Sequence, residues 1–185
     1  PNSGEVLLRN TNILDLDKHQ LRSIRKNMQI IFQDPYSSLN PRRTIGQTLA
    51  EPMAVHNLYP EKEAREVVAA LLENVGLSAN AIDKYPHEFS GGQRQRVGIA
   101  RAILFNPDLI IADEAVSALD VSIQMQILQL LQNLKEIHTL SYLFISHDLA
   151  VVRHFCQRVA IMYLGRFVEL GTVAQICDNT LHPYT

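Results

Sequence analysis

Residues Asp108-Leu109-Ile110-Ile111-Ala112-Asp113-Glu114 set an apolar run of strand length directly against two adjacent carboxylates. From this point the chain alternates: strand 109–112, helix 121–137, strand 142–145, helix 149–155 and strand 158–163. Such alternation predicts an α/β fold, a parallel sheet covered by helices, with right-handed crossovers. The strands are continuous apolar runs rather than alternating ones, which predicts burial of both sheet faces. Ligand chemistry in such a sheet gathers at the carboxyl ends of the strands. Asp113 and Glu114 lie at one such end, and His147 follows another.

Upstream, 5–8 and 28–32 read as strands separated by a polar helical stretch, 19–26, so the chain opens on a β-rich piece. Beyond Pro41 the period becomes helical, with Ile45 and Leu49 and then 64–75, where Val67, Val68, Leu71, Leu72 and Val75 share one face and Gly76 reads as the cap. Near the end, 167–170 reads as a hairpin partner of 159–163 through the turn Leu164-Gly165-Arg166. Three parts follow: 1–46, a β part that contains the strand-end Gln33; 47–105, a helical part; and 106–185, an α/β core.

At 185 residues and 46% hydrophobic, the chain can bury a real core. Lys and Arg number 17 against 19 Asp and Glu, so no overall positive field exists to hold nucleic acid or an anionic membrane surface. The longest apolar runs fall well short of the roughly 20 residues that span a bilayer. Cys156 and Cys177 form no CxxC pair and are expected as buried free thiols in a reducing cytoplasm. The first residue is Pro1 rather than Met, which reads as the mark of a longer polypeptide cut upstream.

Two carboxylates at a buried strand end can divide their work: Asp113 can hold Mg2+, and Glu114 can orient and deprotonate an attacking water. Taken alone, the same residues also fit a solvated acidic turn after a core strand. Phe89-Ser90-Gly91-Gly92-Gln93-Arg94-Gln95-Arg96 opens an amphipathic helix carrying Val97, Ile99, Ala100, Ile103 and Leu104. Free backbone N–H groups at such a start can hold a phosphate, while the plainer reading is a Ser N-cap followed by tolerated glycines.

Taken together and in order, Ser90-Gly91-Gly92-Gln93, Asp113-Glu114, Ser117-Ala118-Leu119-Asp120 and His147 resemble the motif series of ABC ATPases. The resemblance covers essentially the whole chain. It implies a P-loop NTPase-like core with a small antiparallel β part and an α-helical subdomain. It makes Asp113-Glu114 the Walker B carboxylates, Ser90 to Gln93 the signature that contacts ATP held by a partner, and Asp120 part of the D-loop at the dimer seam. His147 becomes the switch histidine on the γ-phosphate, and Gln33 the Q-loop glutamine that ligates Mg2+ or positions water.

Two departures stand out. Ala115 follows Glu114 where the family usually has Pro, and no G-x-x-x-x-G-K-[ST] phosphate loop occurs in the 185 residues. Pro1-Asn2-Ser3-Gly4-Glu5-Val6 looks like the stretch that follows that loop in the family. Residues Gln33 to Arg42, Tyr85-Pro86-His87-Glu88 and Leu181-His182-Pro183-Tyr184-Thr185 are similar to those of oligopeptide and dipeptide importers.

The resemblance therefore implies ATP and Mg2+ as ligands, a second ABC ATPase subunit and transmembrane permease subunits as partners, and indirectly an extracytoplasmic solute-binding protein. It implies no nucleic acid, and a place on the cytoplasmic face of the inner membrane. Rival readings are a soluble ABC ATPase acting on DNA or ribosomes, which calls for an insertion between Gln33 and Ser90 that is not there, and a docking module that holds no ATP itself.

Overall fold

The computed structural model describes residues 3–185, excepting the side chains of residues 61 and 62, so the Pro1-Asn2 part of the opening motif lies outside the described residues. The chain opens on a small antiparallel pair, β1 (Leu7–Leu8) and β2 (Thr11–Asn12). The expected strand 5–8 is thus shorter, and its partner was not foreseen because two polar residues carry no periodicity. Arg9 and Asn10 between them both take left-handed φ, +48° and +63°, the geometry of a tight two-residue hairpin turn. Arg9 also reaches Asp108 at 2.5 Å, tying this hairpin to the base of the central sheet.

Helix α1 (Lys18–Ile24) begins at Asp17, whose carboxylate accepts from the Gln20 N–H while the Gln20 side chain returns to the Asp17 N–H. A short 3-10 turn then leads into β3 (Met28–Ile31). Next come α2 (Ile45–Val55) and α3 (Glu61–Asn74). As expected, α3 stops at Gly76: Leu77 N–H donates to Leu72 O and Gly76 N–H to Glu73 O, with Gly76 at φ +75°. Helix α4 (Gly91–Ile103) follows, then β4 (Leu109–Asp113), α5 (Val121–His138), β5 (Ser141–Ile145) and α6 (Leu149–Phe155). The chain closes with β6 (Arg158–Tyr163), β7 (Arg166–Thr172) and α7 (Val173–Asp178).

Strands β3, β4 and β5 form a parallel sheet in that order, in register Ile30, Ile111, Leu143 and Ile31, Ala112, Phe144. Among the described residues one face of this sheet is deeply buried. Ile31, Ile110 and Ala112 lie in the main core with Tyr142 and Phe144 against it, whereas Ile30, Leu143 and Ile145 point the other way and stay exposed, Leu143 at 53%. Within these residues the expected burial of both faces is met on one face. Successive right-handed crossovers that add strands in one direction deliver their helices to the same side, and no reversal of strand order occurs among β3, β4 and β5.

Helices α2 to α5 supply most of the core on that side, including Ile45, Leu49, Val68, Leu72, Ile99 and Leu131. Strands β6 and β7 form a separate hairpin whose inner side packs with α6 and α7 around Val152, Val159 and Ile176. Its turn is two residues, Leu164 and Gly165, at φ +47° and +76°. Arg166 already pairs with Tyr163, so β7 is longer than expected, and the register shifts at Ile161/Met162. The cysteines are half-buried rather than buried; Cys156 sits at the margin of this small cluster, and partial burial pushes its thiol pKa up.

Candidate functional site

Three neighbouring strand ends place Gln33, Glu114 and His147 together. Gln33 follows β3 by two residues, Glu114 follows β4 directly, and His147 follows β5 by two residues. The Gln33 Nε2 donates to Glu114 Oε2 at 2.6 Å and approaches Ser117 Oγ at 3.4 Å. The other carboxylate oxygen, Oε1, lies 3.2 Å from His147 Nδ1. Glu114 is thereby held between an amide and an imidazole, while the His147 side chain remains 71% exposed.

The backbone under Glu114 is equally constrained. Its N–H donates to Ile145 O, extending the β4–β5 ladder by one residue, and its carbonyl accepts from the Ser117 N–H and Oγ. Within this turn Glu114 adopts φ +46°, a left-handed conformation that costs a residue with a Cβ about 1 kcal/mol.

Asp113 ends β4, opposite Ile145. Among the described residues no group of three or more His, Cys, Asp or Glu side chains could hold a metal by itself. Mg2+ does not need one, since it takes one or two protein oxygens and completes its shell with phosphate and water. The Asp113 carboxylate and the Gln33 Oε1, left free because Nε2 faces Glu114, fit that requirement.

The glycine-rich helix start takes a separate position. Ser90 caps α4, its Oγ accepting from the Gln93 N–H while Gln93 Oε1 accepts from the Ser90 N–H. This is the N-cap that the plainer sequence reading foresaw. Gly92 has a packing reason: a Cβ there would meet Ile123 Cγ2 at 2.5 Å, so α4 and the first turn of α5 approach as only Gly allows. Gly91 lies near Leu119, at ordinary contact distance. Asp120 caps α5, accepting from the Ile123 N–H and the Ser122 hydroxyl, and these bonds, Ser122 first, hold its carboxyl below the usual range. Ser90 to Gln93 and Asp120 therefore adjoin one another, and no hydrogen bond joins them to Gln33, Glu114 or His147 among the described residues.

Sequence reasoning missed the ties between α4 and the segment after Gln33. Arg101 Nη1 donates to Ser38 O at 2.8 Å, and its burial lowers the guanidinium pKa. The Arg94 guanidinium lies over the Tyr36 ring at 5.1 Å and donates to Phe89 O. Asp34 is held below its ordinary value chiefly by the Tyr36 N–H. Arginines on the polar side of an amphipathic helix gave no sign of such distant partners.

The family described as "ABC transporter" matches residues 1–117. The chain is 54% identical to AppF, an oligopeptide transport ATP-binding protein of Bacillus subtilis (strain 168), covering 100% of this chain and 56% of AppF. It is 50% identical to DppF, a dipeptide transport ATP-binding protein of Haemophilus influenzae, covering 100% and 57%. To GsiA, a glutathione import ATP-binding protein of Escherichia coli (strain K12), it is 54% identical over 98% of this chain and 29% of GsiA. The chain thus spans little more than half the length of the first two.

Among solved structures, cbiO1 from Clostridium perfringens, part of the ABC transporter complex cbiONQ, superposes with a TM-score of 0.84 at 29% identity over 97% of this chain and 70% of cbiO1. The ATP-binding cassette MJ0796, a dimer in a post-hydrolysis state bound to ADP and Pi, gives 0.79 at 31% identity over 94% of this chain and 75% of its own. With the family match spanning more than half of its residues, and with Gln33, Glu114 and His147 joined at three strand ends, this chain belongs to the ABC transporter family.

Proposed function

We propose that this chain is the greater part of the ATP-hydrolysing domain of an importer for peptides or related small solutes. The observation that carries this reading is the bonding of Glu114 to Gln33 and His147 at adjacent strand ends. The similarity to AppF, DppF and GsiA supports the solute class.

In this reading Glu114 is the general base. Its carboxylate accepts the proton of a water as the water oxygen attacks the γ-phosphorus and ADP leaves. The Gln33 amide and His147 hold that carboxylate in one orientation. A histidine donating from Nδ1 to Glu114 presents Nε2 to phosphate as a donor only when protonated. Asp113 and Gln33 would hold Mg2+, which would supply charge neutralisation on the nucleotide. Ser90, Gly91, Gly92 and Gln93 contact the ATP of a second ABC ATPase subunit, and Asp120 lies at the seam.

No G-x-x-x-x-G-K-[ST] phosphate loop occurs among the 185 residues. No helix among the described residues is long and apolar enough to cross a membrane. In this reading transmembrane permease subunits carry the solute, an extracytoplasmic solute-binding protein delivers it, and this domain works at the cytoplasmic face.

The test is ATP turnover by the full-length subunit beside Glu114→Gln. Loss of about 10²- to 10⁴-fold in kcat with nucleotide retained supports the reading. A full-length protein that neither binds nor hydrolyses ATP replaces it with that of a docking module.

A further inference from the structure

Thr48 and Gln95 are the buried polar side chains among the described residues. Thr48 returns its hydroxyl to Thr44 O in its own helix. Gln95, 1% exposed, instead leaves α4 and donates from Nε2 to Ala115 O at 2.6 Å. A carboxamide placed on the same stripe as Ile99 and Ile103 gives up packing that an aliphatic residue would supply, so its value lies in its partner. That partner is the carbonyl directly after Glu114.

The Glu114 backbone is held on its amino side by the bond to Ile145 and at its own carbonyl by Ser117. Gln95 fixes the next peptide along, and it does so from the helix that begins with Ser90-Gly91-Gly92. Ala115 makes this anchor more important, because an alanine leaves φ at that position free where a proline would set it. The same helix is pinned to the segment after Gln33 through Arg101 and Ser38. One rigid helix thus touches the backbone on both sides of the Gln33–Glu114 pair.

We infer that Gln95 is a positioning residue for Glu114, and that its amide carries the position of the signature helix to the carboxylate. The inference rests on the proposed ATPase reading. When the helix start engages a nucleotide on a partner, the pull reaches Glu114 through one buried hydrogen bond. The two ends of this connection serve different ATP molecules, so the bond links one site to the other.

The experiment compares Gln95→Met, which keeps the volume and removes the donor, with Arg96→Met in the full-length subunit. Arg96 Nη1 donates to Val75 O from another side of α4 and serves as the control for loosening the helix. The expected result for Gln95→Met is a fall in kcat of about 10- to 100-fold with the KM for ATP within about twofold. Arg96→Met keeps kcat within about twofold at a comparable loss of thermal stability. If Gln95→Met does not fold, the same split is read from Gln95→Asn, which retains an amide but withdraws it by one methylene. Unchanged kcat in the Gln95 variants, or equal losses in both positions, overturns the inference while leaving the ATPase reading intact; loss of turnover in Glu114→Gln, run alongside, confirms that the reading itself holds.

Discussion

Helices α2 to α5 and the terminal hairpin β6–β7 solve the same problem with different means. In the helical region Ile45, Leu49, Val68 and Leu72 are fully inaccessible and belong to one continuous cluster that reaches the sheet. The hairpin gathers three buried side chains, Val152, Val159 and Ile176, while Leu164, Phe167 and Leu170 stand in solvent. The first region is held by packing, and its removal means global unfolding. The second is held by its ladder and by polar ties such as Arg153 to Asp178, and such regions open locally well below the global unfolding free energy.

The strongest challenge to this contrast is Leu72→Ala, which should cost about 2–5 kcal/mol by leaving a cavity in a core that cannot collapse around it. Urea unfolding followed by circular dichroism would register it as a lower midpoint with an unchanged slope. A cost below that range would mean that the helical region is softer than its burial implies.

Ile176→Ala, at 3% exposure in the small cluster, should cost less, about 2 kcal/mol, at the low end for such truncations. Its signature is faster amide exchange in β6, β7 and α7 with little change in α2 to α5. Uniform acceleration across the chain would dissolve the distinction between the two regions.

The smallest effect belongs to Glu169, which gathers the last residues onto the hairpin. Its Oε1 accepts from Thr185 Oγ1 and the His182 N–H, both at 2.6 Å, and Oε2 from the Leu181 N–H. These bonds, that from Thr185 first, hold its carboxyl below the ordinary glutamate value. A depressed folded pKa means that the contribution is complete at neutral pH, begins to fade as pH enters the ordinary glutamate range, and is gone below the lowered pKa. Glu169→Ala, which removes both acceptor oxygens, should free residues 181–185 at every pH without moving the global unfolding midpoint, as seen in the NMR shift of the Thr185 methyl. Movement of the global midpoint would show that the hairpin and the helical core unfold together.

Legibility in the sequence followed the same divide. The run ending in Asp113-Glu114, the helical stripe of Val68, Leu71 and Leu72, and the Gly76 stop were readable because each is local and periodic. Gln33, Glu114 and His147 could be assigned to strand ends, and their mutual bonds follow from parallel register. The one-sided burial of the sheet was not readable, since a continuous apolar run looks the same with one face covered or two. Thr11–Asn12 as a strand and Gln95 as an anchor were missed for a related reason: each is defined by a partner elsewhere, Leu7–Leu8 for one and Ala115 for the other.

The left-handed backbone at Glu114 carries an evolutionary corollary. Glycine visits that region freely, so Glu114→Gly would relax the turn, and a library sorted for heat resistance alone would enrich it. Such a sort would ratchet toward sturdier proteins that have lost the carboxylate facing Gln33 and His147. An acidic residue at φ +46° therefore forgoes the relief that glycine would bring, and the position is one at which heat resistance trades against the contacts of the carboxylate.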